Sequence, residues 1–244
     1  MKHLYLLLSL FFAATTEGQT QDTLYVWKAG NLVIKQSIKP VDIDSITFKR
    51  PVVNIPQVTI CNQVWATKNL NVTTYRNGEQ IPYVTDPTAW LYLTTGAYCS
   101  YNNDPANDVI YGKLYNWYAV NDQRGLAPTG YHVPTDTEWT TLTTCLGEEA
   151  EEALEGGKMK ETGTTHWLDP NEGANNSSGF TALPGGFRGY NGTFYDIGGN
   201  GLWWSSSENE PAYAWYRVLS YDNTGVGRYF NYEATGFSVR CLRN

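Results

Sequence analysis

The chain has 244 residues and a formal net charge of −7, with 17 Lys and Arg against 24 Asp and Glu. Hydrophobic residues make up 41% of the sequence and aromatic residues 14%, which excludes a disordered chain, because disordered chains lack aromatics and carry dense charge. No cluster of Lys and Arg offers the basic face that binding to nucleic acid needs, and the acidic balance disfavours docking on anionic lipid. Tyr and Trp bring contact area at low entropic cost, so this composition suits a binding surface.

The N-terminus has the pattern of a secretory signal peptide over residues 1–18. A short basic start is followed by an apolar run at 4–14 and by small residues before a cleavage site near Gln19. The run is too short to span a bilayer, which takes about 20 apolar residues. No Cys follows it, which disfavours a lipid-anchored lipoprotein. The alternative is a buried N-terminal strand, but the pattern favours export to the cell surface or the extracellular space, with no membrane span.

The next segment, residues 19–50, predicts a small β-hairpin. Residues that favour strands alternate through 23–49 and are interrupted at 29–31 by an Ala-Gly-Asn turn. A third short strand is expected at 45–48. So short a segment cannot bury a hydrophobic core of its own.

Residues 51–56 are a proline-bounded linker to a second domain, which is expected over 57–244. Within it, apolar spacing predicts strands at 58–60 and 63–65 and a helix at 111–120. The C-terminal quarter alternates turns with short aromatic runs, a pattern that predicts a β-meander. The strands expected there are 180–183, 193–195, 201–205, 214–220, 226–230 and 237–242. Two main helices and a terminal antiparallel meander predict a loop-rich α+β domain.

The clearest helix is expected at 136–146. Thr135 and Glu138 have the spacing of a capping box, in which each side chain accepts a hydrogen bond from the other residue's backbone. The stripe that this helix would bury consists of Trp139, Leu142 and Leu146. We expect the stripe to pack against the C-terminal strands, with Phe237 and Val239 as its partners.

Seven short blocks stand out in the larger domain. In chain order they read Gln-Val-Trp-Ala-Thr-Lys-Asn-Leu at 63–70, Tyr-Gly-Lys-Leu-Tyr-Asn-Trp at 111–117, Gly-Tyr-His-Val-Pro-Thr-Asp-Thr-Glu-Trp at 130–139, Gly-Lys-Met-Lys-Glu at 157–161, Gly-Phe-Thr-Ala-Leu-Pro-Gly-Gly at 179–186, Trp-Trp-Ser-Ser at 203–206 and Gly-Phe-Ser-Val-Arg-Cys at 236–241. Together they resemble the Fibrobacter succinogenes major paralogous domain family over about 57–243. The blocks at 133–139 and 236–240 are also similar to the formylglycine-generating-enzyme group, which implies a C-type-lectin-like fold. The resemblance further implies an exported, surface-associated bacterial protein.

The chain has four cysteines, at positions 61, 99, 145 and 241. An even number in an exported chain permits two disulfides, with three possible connectivities. The family resemblance places Cys99 and Cys241 in family blocks, whereas Cys61 and Cys145 are additions of this chain. It therefore implies the pairs Cys99–Cys241 and Cys61–Cys145.

Catalysis is the weaker class of function. The formylglycine-generating enzymes that the chain resembles hold copper on two cysteines near the C-terminus, where this chain has only Cys241. Iron-dependent relatives use three histidines, whereas only His132 and His166 follow the signal peptide. The serines at 205–207 lack the Gly-x-Ser-x-Gly elbow of a hydrolase. We therefore predict no catalytic residue and no cofactor, although an enzyme with a non-standard site on that scaffold stays an alternative.

The sugar-binding motifs of calcium-dependent C-type lectins are absent from the sequence. The run at 210–212 comes near one of them but lacks the Asn whose amide oxygen would bind calcium and sugar. Oxygen ligands are plentiful in the loops at 102–108, 169–175 and 196–200, which could hold a structural calcium ion. The alternative is turn chemistry, because Asn, Asp and Gly tolerate left-handed backbone and cap their own turns.

The stretch from 213 to 232 has the mixture of Tyr, Asn, Ser and Arg that is typical of binding surfaces. It resembles the variable segment of diversified lectin-fold proteins, which place ligand contacts there. The predicted ligand-binding residues are Arg217, Tyr221, Asn223, Arg228, Tyr229, Asn231 and Tyr232, with His166 from a separate loop. We expect those of the meander to cluster on one solvent-facing surface, because neighbouring strands bring outward residues together. The alternative is that the aromatic residues form core.

These patterns predict an exported, non-enzymatic binding or adhesion module that recognises a glycan or a surface protein. The first alternative is an enzyme on a formylglycine-generating-enzyme-like scaffold, and the second is a structural component of the cell envelope. An exposed aromatic patch would favour binding, whereas a deep pocket with converging ionisable groups would favour catalysis.

Overall fold

The structure is a computed structural model that describes residues 22–28, 31–38, 55–147 and 154–244. The chain divides into two compact units, Met1–Val52 and Val53–Asn244. The predicted signal peptide, the short strand expected at 45–48 and most of the predicted linker lie outside the described residues.

The described part of the first unit is an antiparallel β-hairpin. Strand β1 (Asp22–Lys28) pairs with β2 (Asn31–Ile38), and the register shifts between Val26 and Trp27. The sequence predicted this hairpin because strand-forming residues alternate on both sides of an Ala-Gly-Asn break.

The second unit combines short helices with small antiparallel sheets. Its strands are β3 (Gln57–Ile60), β4 (Gln63–Ala66), β5 (Tyr98–Cys99), β6 (Leu114–Tyr115), β7 (Tyr131–His132), β8 (Gly185–Arg188), β9 (Phe194–Ile197), β10 (Asn200–Glu210), β11 (Tyr213–Ser220), β12 (Gly227–Tyr232) and β13 (Leu242–Arg243). Its helices are α1 (Pro87–Leu91), α2 (Ala106–Tyr111), α3 (Trp117–Val120), α4 (Asp136–Gly147) and α5 (Glu155–Met159). The strands pair in the orders β10-β11-β12, β3-β4-β13-β7, β5-β6 and β8-β9. This mixture of helices and small antiparallel sheets confirms the α+β class.

The predicted meander is the β10-β11-β12 sheet. Its three strands contain the aromatic runs expected at 201–205 and 214–220 and most of the run at 226–230. The run at 180–183 forms only an isolated bridge, between Ala182 and Lys160. Thr181 has a φ of 54°, which lies in the left-handed region, so an extended strand cannot continue through it.

Helix α4 begins where the capping box predicted. The hydroxyl oxygen of Thr135 accepts a hydrogen bond from the backbone N–H of Glu138 at 3.2 Å, and Glu138 Oε2 accepts one from the N–H of Thr135 at 2.8 Å. Trp139 and Leu142 are buried and Leu146 is partly buried, which confirms the predicted stripe.

The partners of this stripe differ from the prediction. Trp139 packs against Trp203 of β10, with ring centroids 6.5 Å apart, whereas Phe237 and Val239 belong to a separate buried cluster. The expectation that Phe237 and Val239 would contact α4 is therefore wrong. Neighbouring residues of a strand project to opposite faces, so Trp203 lies on the α4 side of β10 and Trp204 on the other side. Trp204 is the residue that meets Phe237, at 4.4 Å between centroids.

The helix predicted at 111–120 is also wrong, because its residues divide among the end of α2, strand β6 and helix α3. Gly112 follows α2 with a φ of 73°, and a left-handed residue in this position ends a helix. Asn116 begins α3, since its side-chain oxygen accepts a hydrogen bond from the N–H of Ala119 at 3.1 Å.

The structure confirms one predicted disulfide and corrects the other. Cys61 and Cys145 are bonded, which links the β3–β4 turn to α4. Cys99 and Cys241 are free and buried, so the predicted Cys99–Cys241 pair is wrong. The two thiols lie in different hydrophobic clusters, and burial raises the pKa of each to about 12. Both therefore act as small apolar core residues.

Candidate ligand-binding surface

A row of aromatic side chains lies on one face of the β10-β11-β12 sheet. Tyr213 of β11 is opposite Tyr232 of β12, and Trp215 is opposite Phe230. Paired residues share a face of the sheet, as do alternate residues of one strand, so these four side chains lie on the same side. Tyr190, from the turn between β8 and β9, extends the row by contacting Tyr232. We call Tyr190, Tyr213, Trp215, Phe230 and Tyr232 the aromatic face.

The rings of the aromatic face contact one another continuously. The ring centroid of Tyr232 lies 4.9 Å from that of Tyr190 and 4.5 Å from that of Tyr213. Phe230 meets Tyr213 and Trp215 edge to face, each at 5.8 Å, with interplanar angles of 88° and 90°. Edge-to-face pairs are favourable for aromatic rings, so each ring holds its neighbour in place.

The aromatic face is open to solvent. Tyr190, Phe230 and Tyr232 expose 47%, 48% and 42% of their surface, whereas Tyr213 and Trp215 are half-buried. Exposed apolar residues that stand singly are ordinary, but contiguous ones mark interaction sites. Farther along β11 the same side of the sheet is buried against α4, so the helix covers one end of this side and leaves the aromatic end free.

Arg217 is part of that covered end, so the expectation that it lies on a solvent-facing surface is wrong. It exposes 2% of its surface, and its Nη1 donates a hydrogen bond to Asp136 Oδ1 at 2.7 Å. A second nitrogen donates to the hydroxyl of Thr140 at 3.0 Å. Burial by itself would raise the pKa of Asp136, but hydrogen bonds from Arg228 and Arg217 outweigh it and hold the pKa below its usual value. This ion pair anchors α4 on the sheet.

Arg228 is exposed and lies on the aromatic face. Its guanidinium carbon is 3.6 Å from the centroid of the Trp215 ring, and its Nη2 donates a hydrogen bond to Asp136 Oδ2 at 2.8 Å. Stacking on an aromatic ring and pairing with a carboxylate both suit the planar guanidinium. Because Arg217 and Arg228 share the single carboxylate of Asp136, the cluster keeps one positive charge beside the rings.

Tyr229 and Asn231 lie on the opposite side of β12 from Arg228 and Tyr232. The pairing places Tyr229 opposite Tyr216, which packs against the buried cluster on the far side of the sheet. The predicted residues therefore do not share one surface, and the physical reason is the alternation of side chains along β12. The side-chain oxygen of Asn231 accepts a hydrogen bond from the backbone N–H of Tyr232 at 2.8 Å, so it serves the local chain.

Tyr221 and Asn223 belong to a turn that Lys160 holds in place. The Nζ of Lys160 donates hydrogen bonds to three backbone oxygens, one of them that of Asn223, at 2.8–2.9 Å. Lys160 is buried, and burial lowers its pKa to about 8. Tyr221 packs against the cluster beneath α4. Asn223 and Tyr229 line a separate cleft of about 340 Å³ beside this turn.

The side chain of His166 contacts Glu161 and Tyr111. Its Nδ1 lies 2.7 Å from Glu161 Oε2, and the edge of its ring meets Tyr111 at 5.9 Å between centroids. Its role in ligand binding stays a prediction.

A structural calcium ion in the loops at 102–108, 169–175 and 196–200 also stays a prediction. Within the described ranges, no three His, Cys, Asp or Glu side chains converge on a possible metal site. In the same parts of the chain, no helix is long and apolar enough to cross a bilayer.

Sequence reasoning missed most of the aromatic face. Of its five residues only Tyr232 was among the predicted ligand-binding residues, and Tyr190, Tyr213, Trp215 and Phe230 were not. A usable signal was present, because Tyr213 and Trp215 are two residues apart, as are Phe230 and Tyr232, so each pair shares a face of its strand. What the sequence lacked was the register that sets the two pairs side by side.

These features define a small α+β domain with an exposed aromatic row on one sheet. The family model for the Fibrobacter succinogenes major domain matches residues 58–243, and the chain belongs to this family. No curated protein and no solved structure matches the chain.

Proposed function

We propose that the protein is an exported bacterial binding module that recognises a carbohydrate through the aromatic face. The observation that carries this proposal is the continuous row of exposed rings on an antiparallel sheet. Aromatic rings stack on the apolar faces of sugar rings, and side chains on strands are positioned more firmly than side chains on loops. A C-type-lectin-like architecture, which the sequence resemblance implies, is part of the same proposal.

The polar groups around the row indicate which chemical groups the proposed ligand carries. Tyr190, Tyr213 and Tyr232 carry hydroxyl groups that can donate and accept hydrogen bonds, as the hydroxyl groups of a sugar require. Arg228 adds guanidinium N–H donors and belongs to a cluster with one unbalanced positive charge. Guanidinium groups bind carboxylates with paired hydrogen bonds, so we expect a preference for sugars that carry a carboxylate.

A protein partner is the second candidate. Strand β12 is an edge of its sheet, and its outward residues include Phe230 and Tyr232. Tyr, Trp and Arg carry much of the binding energy at protein interfaces, and an edge strand can pair with another chain. The composition of the aromatic face therefore suits both kinds of ligand.

The test is a glycan array probed with the mature chain, refolded with its disulfide. We expect retention of a small set of carbohydrates. Phe230→Ala and Tyr232→Ala should each weaken binding by about 1–3 kcal/mol and lower thermal stability less than a core substitution would, because both side chains are about half exposed. Tyr92→Ala is the matched control, since Tyr92 is 75% exposed and lies outside the aromatic face.

Three outcomes separate the candidates. Loss of glycan binding in the two face variants and not in Tyr92→Ala supports the carbohydrate proposal. Binding of an envelope protein that the same two substitutions weaken, without any glycan binding, replaces it by the second candidate. Glycan binding that neither substitution changes would show that the aromatic face is not the site.

A further inference from the structure

A cavity of about 370 Å³ lies near one end of the β10-β11-β12 sheet. It is bounded by the loop after α1, by α3 and the residues that follow it, by β10 and by the residue after β12. The lining residues that bear on its chemistry are Trp117, Tyr118, Asp122, Arg124, Glu208 and Glu233. Its volume is in the range of sites that bind small molecules. None of these residues belongs to the aromatic face.

Glu233 is the most unusual residue in this lining. It exposes only 9% of its surface, yet its carboxylate has no hydrogen-bond or ion-pair partner among the described residues. Its backbone is held on both sides, because its N–H donates to the carbonyl oxygen of Ala212 at 3.0 Å and its own carbonyl accepts from the N–H of Trp117 at 2.8 Å. Burial raises the pKa of Glu233, and the charge of Glu208 raises it further. Glu233 lines the cavity and its oxygens are not among the fully buried polar atoms, so a molecule in the cavity can supply the partner that the chain does not.

The charges of the lining residues favour a positively charged partner. Arg124 Nη2 lies 2.7 Å from Asp122 Oδ2, and Arg124 Nη1 lies 2.8 Å from Glu79 Oε2, so this guanidinium is already shared by two carboxylates. Glu208 and Glu233 have no cation beside them within the described ranges. The cavity therefore carries two uncompensated negative charges, which favour a cation.

Two aromatic rings favour an organic cation over a hydrated metal ion. The indole N–H of Trp117 donates to the backbone oxygen of Ser205 at 2.9 Å, which fixes the ring in the wall of the cavity. Tyr118 is half-buried beside it, and burial together with the charge of Glu233 raises its pKa. Aromatic rings attract ammonium groups and cover the carbon atoms attached to them. In the described parts of the chain no cluster has the ligand set of a metal site.

We propose that this cavity binds the ammonium group of a small organic molecule, with Glu233 and Glu208 as its counter-charges and with Trp117 and Tyr118 against its carbon atoms. The proposal does not rest on the aromatic face. An ammonium group of this kind is present on an amino sugar and on a free lysine derivative, and the cavity recognises the chemistry that they share.

The experiment uses two ammonium probes, D-glucosamine and Nα-acetyl-lysine amide, and a matched neutral probe, N-acetylglucosamine. Binding is followed by NMR, through the indole N–H signal of Trp117 and the ring signals of Tyr118. We expect at least one ammonium probe to bind saturably at these signals and the neutral probe to leave them unchanged. Binding of only one ammonium probe would identify the source of the cation.

Two variants and one control test the assigned counter-charges. Glu233→Gln should weaken binding of the ammonium probe about tenfold or more, because it removes the buried partner of the cation. Glu208→Gln, at an exposed position, should weaken it less. Glu210→Gln changes the net charge equally at an exposed residue outside the lining, so it should leave the affinity unchanged.

The proposal is overturned if neither ammonium probe binds, if N-acetylglucosamine binds equally well, or if both Glu233→Gln and Glu208→Gln bind normally. Displacement of the probe by micromolar calcium chloride would also overturn it, because the cavity would then be a metal site. Phe230→Ala should keep its affinity for the ammonium probe. Failure of the carbohydrate proposal is therefore distinguishable from failure of this one.

Discussion

Arg217 on β11 and Asp136 at the start of α4 form a buried ion pair, with 2.7 Å between Nη1 and Oδ1. The same carboxylate binds Arg228, whose guanidinium covers the Trp215 ring. A single acidic side chain thus joins the helix, the sheet and the edge of the aromatic face. Its loss should affect the stability of the domain and the position of Arg228 beside the aromatic face.

Asp136→Asn should lower the free energy of unfolding by about 3–5 kcal/mol, because it leaves the guanidinium of Arg217 buried beside a neutral partner. Arg228→Ala should cost only about 0–1 kcal/mol, since that side chain is largely exposed. Urea unfolding of the two variants measures the difference. Equal stability in both would show that the buried pair does not anchor α4.

The ion pair also has a pH dependence of known sign. Because the pKa of Asp136 is lowered in the folded protein, its contribution is full above the unfolded value near 3.8 and is lost as the pH falls through the folded value. The stability gap between the wild type and Asp136→Asn should therefore narrow below about pH 4. A gap that stays constant between pH 7 and pH 3 would contradict this assignment.

Trp139→Ala should destabilise the domain by about 3–5 kcal/mol, because a fully buried ring leaves a cavity that its neighbours fill only partly. NMR signals of Trp65 and Trp203, which contact Trp139, should shift strongly in this variant. Signals of Phe237, on the other side of β10, should shift less. A larger change at Phe237 would contradict the observed packing and support the contact between Phe237 and α4 that the sequence predicted.

The cysteine assignment predicts a definite pattern of thiol reactivity. A thiol reagent should leave the native protein unlabelled, since Cys99 and Cys241 are buried and burial raises their pKa to about 12. In denaturant without a reductant it should label those two and spare Cys61 and Cys145. Reduction of the Cys61–Cys145 bond should cost about 2–4 kcal/mol. Mass spectrometry of labelled peptides makes the measurement, and protection of Cys99 in denaturant would contradict it.

Glu233→Gln should be more stable than the wild type at pH 7. The pKa of Glu233 is raised in the folded protein, so its contribution is full below the unfolded value near 4.5 and is lost as the pH rises through the folded value. The advantage of the variant should therefore disappear near pH 4. Glu210→Gln, at an exposed position, should show no such change. Thermal melts at the two pH values test this, and a destabilised Glu233→Gln would indicate an internal partner for the carboxylate.

Local signals were sufficient wherever one stretch of chain decides its own conformation. The spacing of Thr135 and Glu138 correctly located the start of α4, and the hairpin and the meander followed from alternating strand formers. The helix predicted at 111–120 failed because Gly112 and Asn116 end one helix and begin another within five residues. The spacing of apolar residues alone does not reveal where a helix is interrupted.

For the candidate surface too, local features were predicted and contacts between distant segments were not. A surface in the meander was predicted from its mixture of Tyr, Asn, Ser and Arg, and Arg228 and Tyr232, which were expected to face solvent, are exposed. The burial of Arg217 was not predicted, since it depends on Asp136, which is 81 positions away along the chain. The sequence also did not predict the unpaired carboxylate of Glu233, because the residues around it come from α3 and β10, which are distant in the chain.

Membership in the family, the α+β class and the boundaries of α4 were all readable from residue order, because motif spacing, strand alternation and capping act over a few neighbouring positions. Only the packing of distant segments decided the register of β11 against β12, the side of β10 on which each tryptophan lies and the separation of Cys99 from Cys241. Side chains on a strand alternate, so a shift of one residue moves a ring from the core to the surface. Contacts between distant segments set that register, and in this protein it decides which aromatic residues are exposed to solvent.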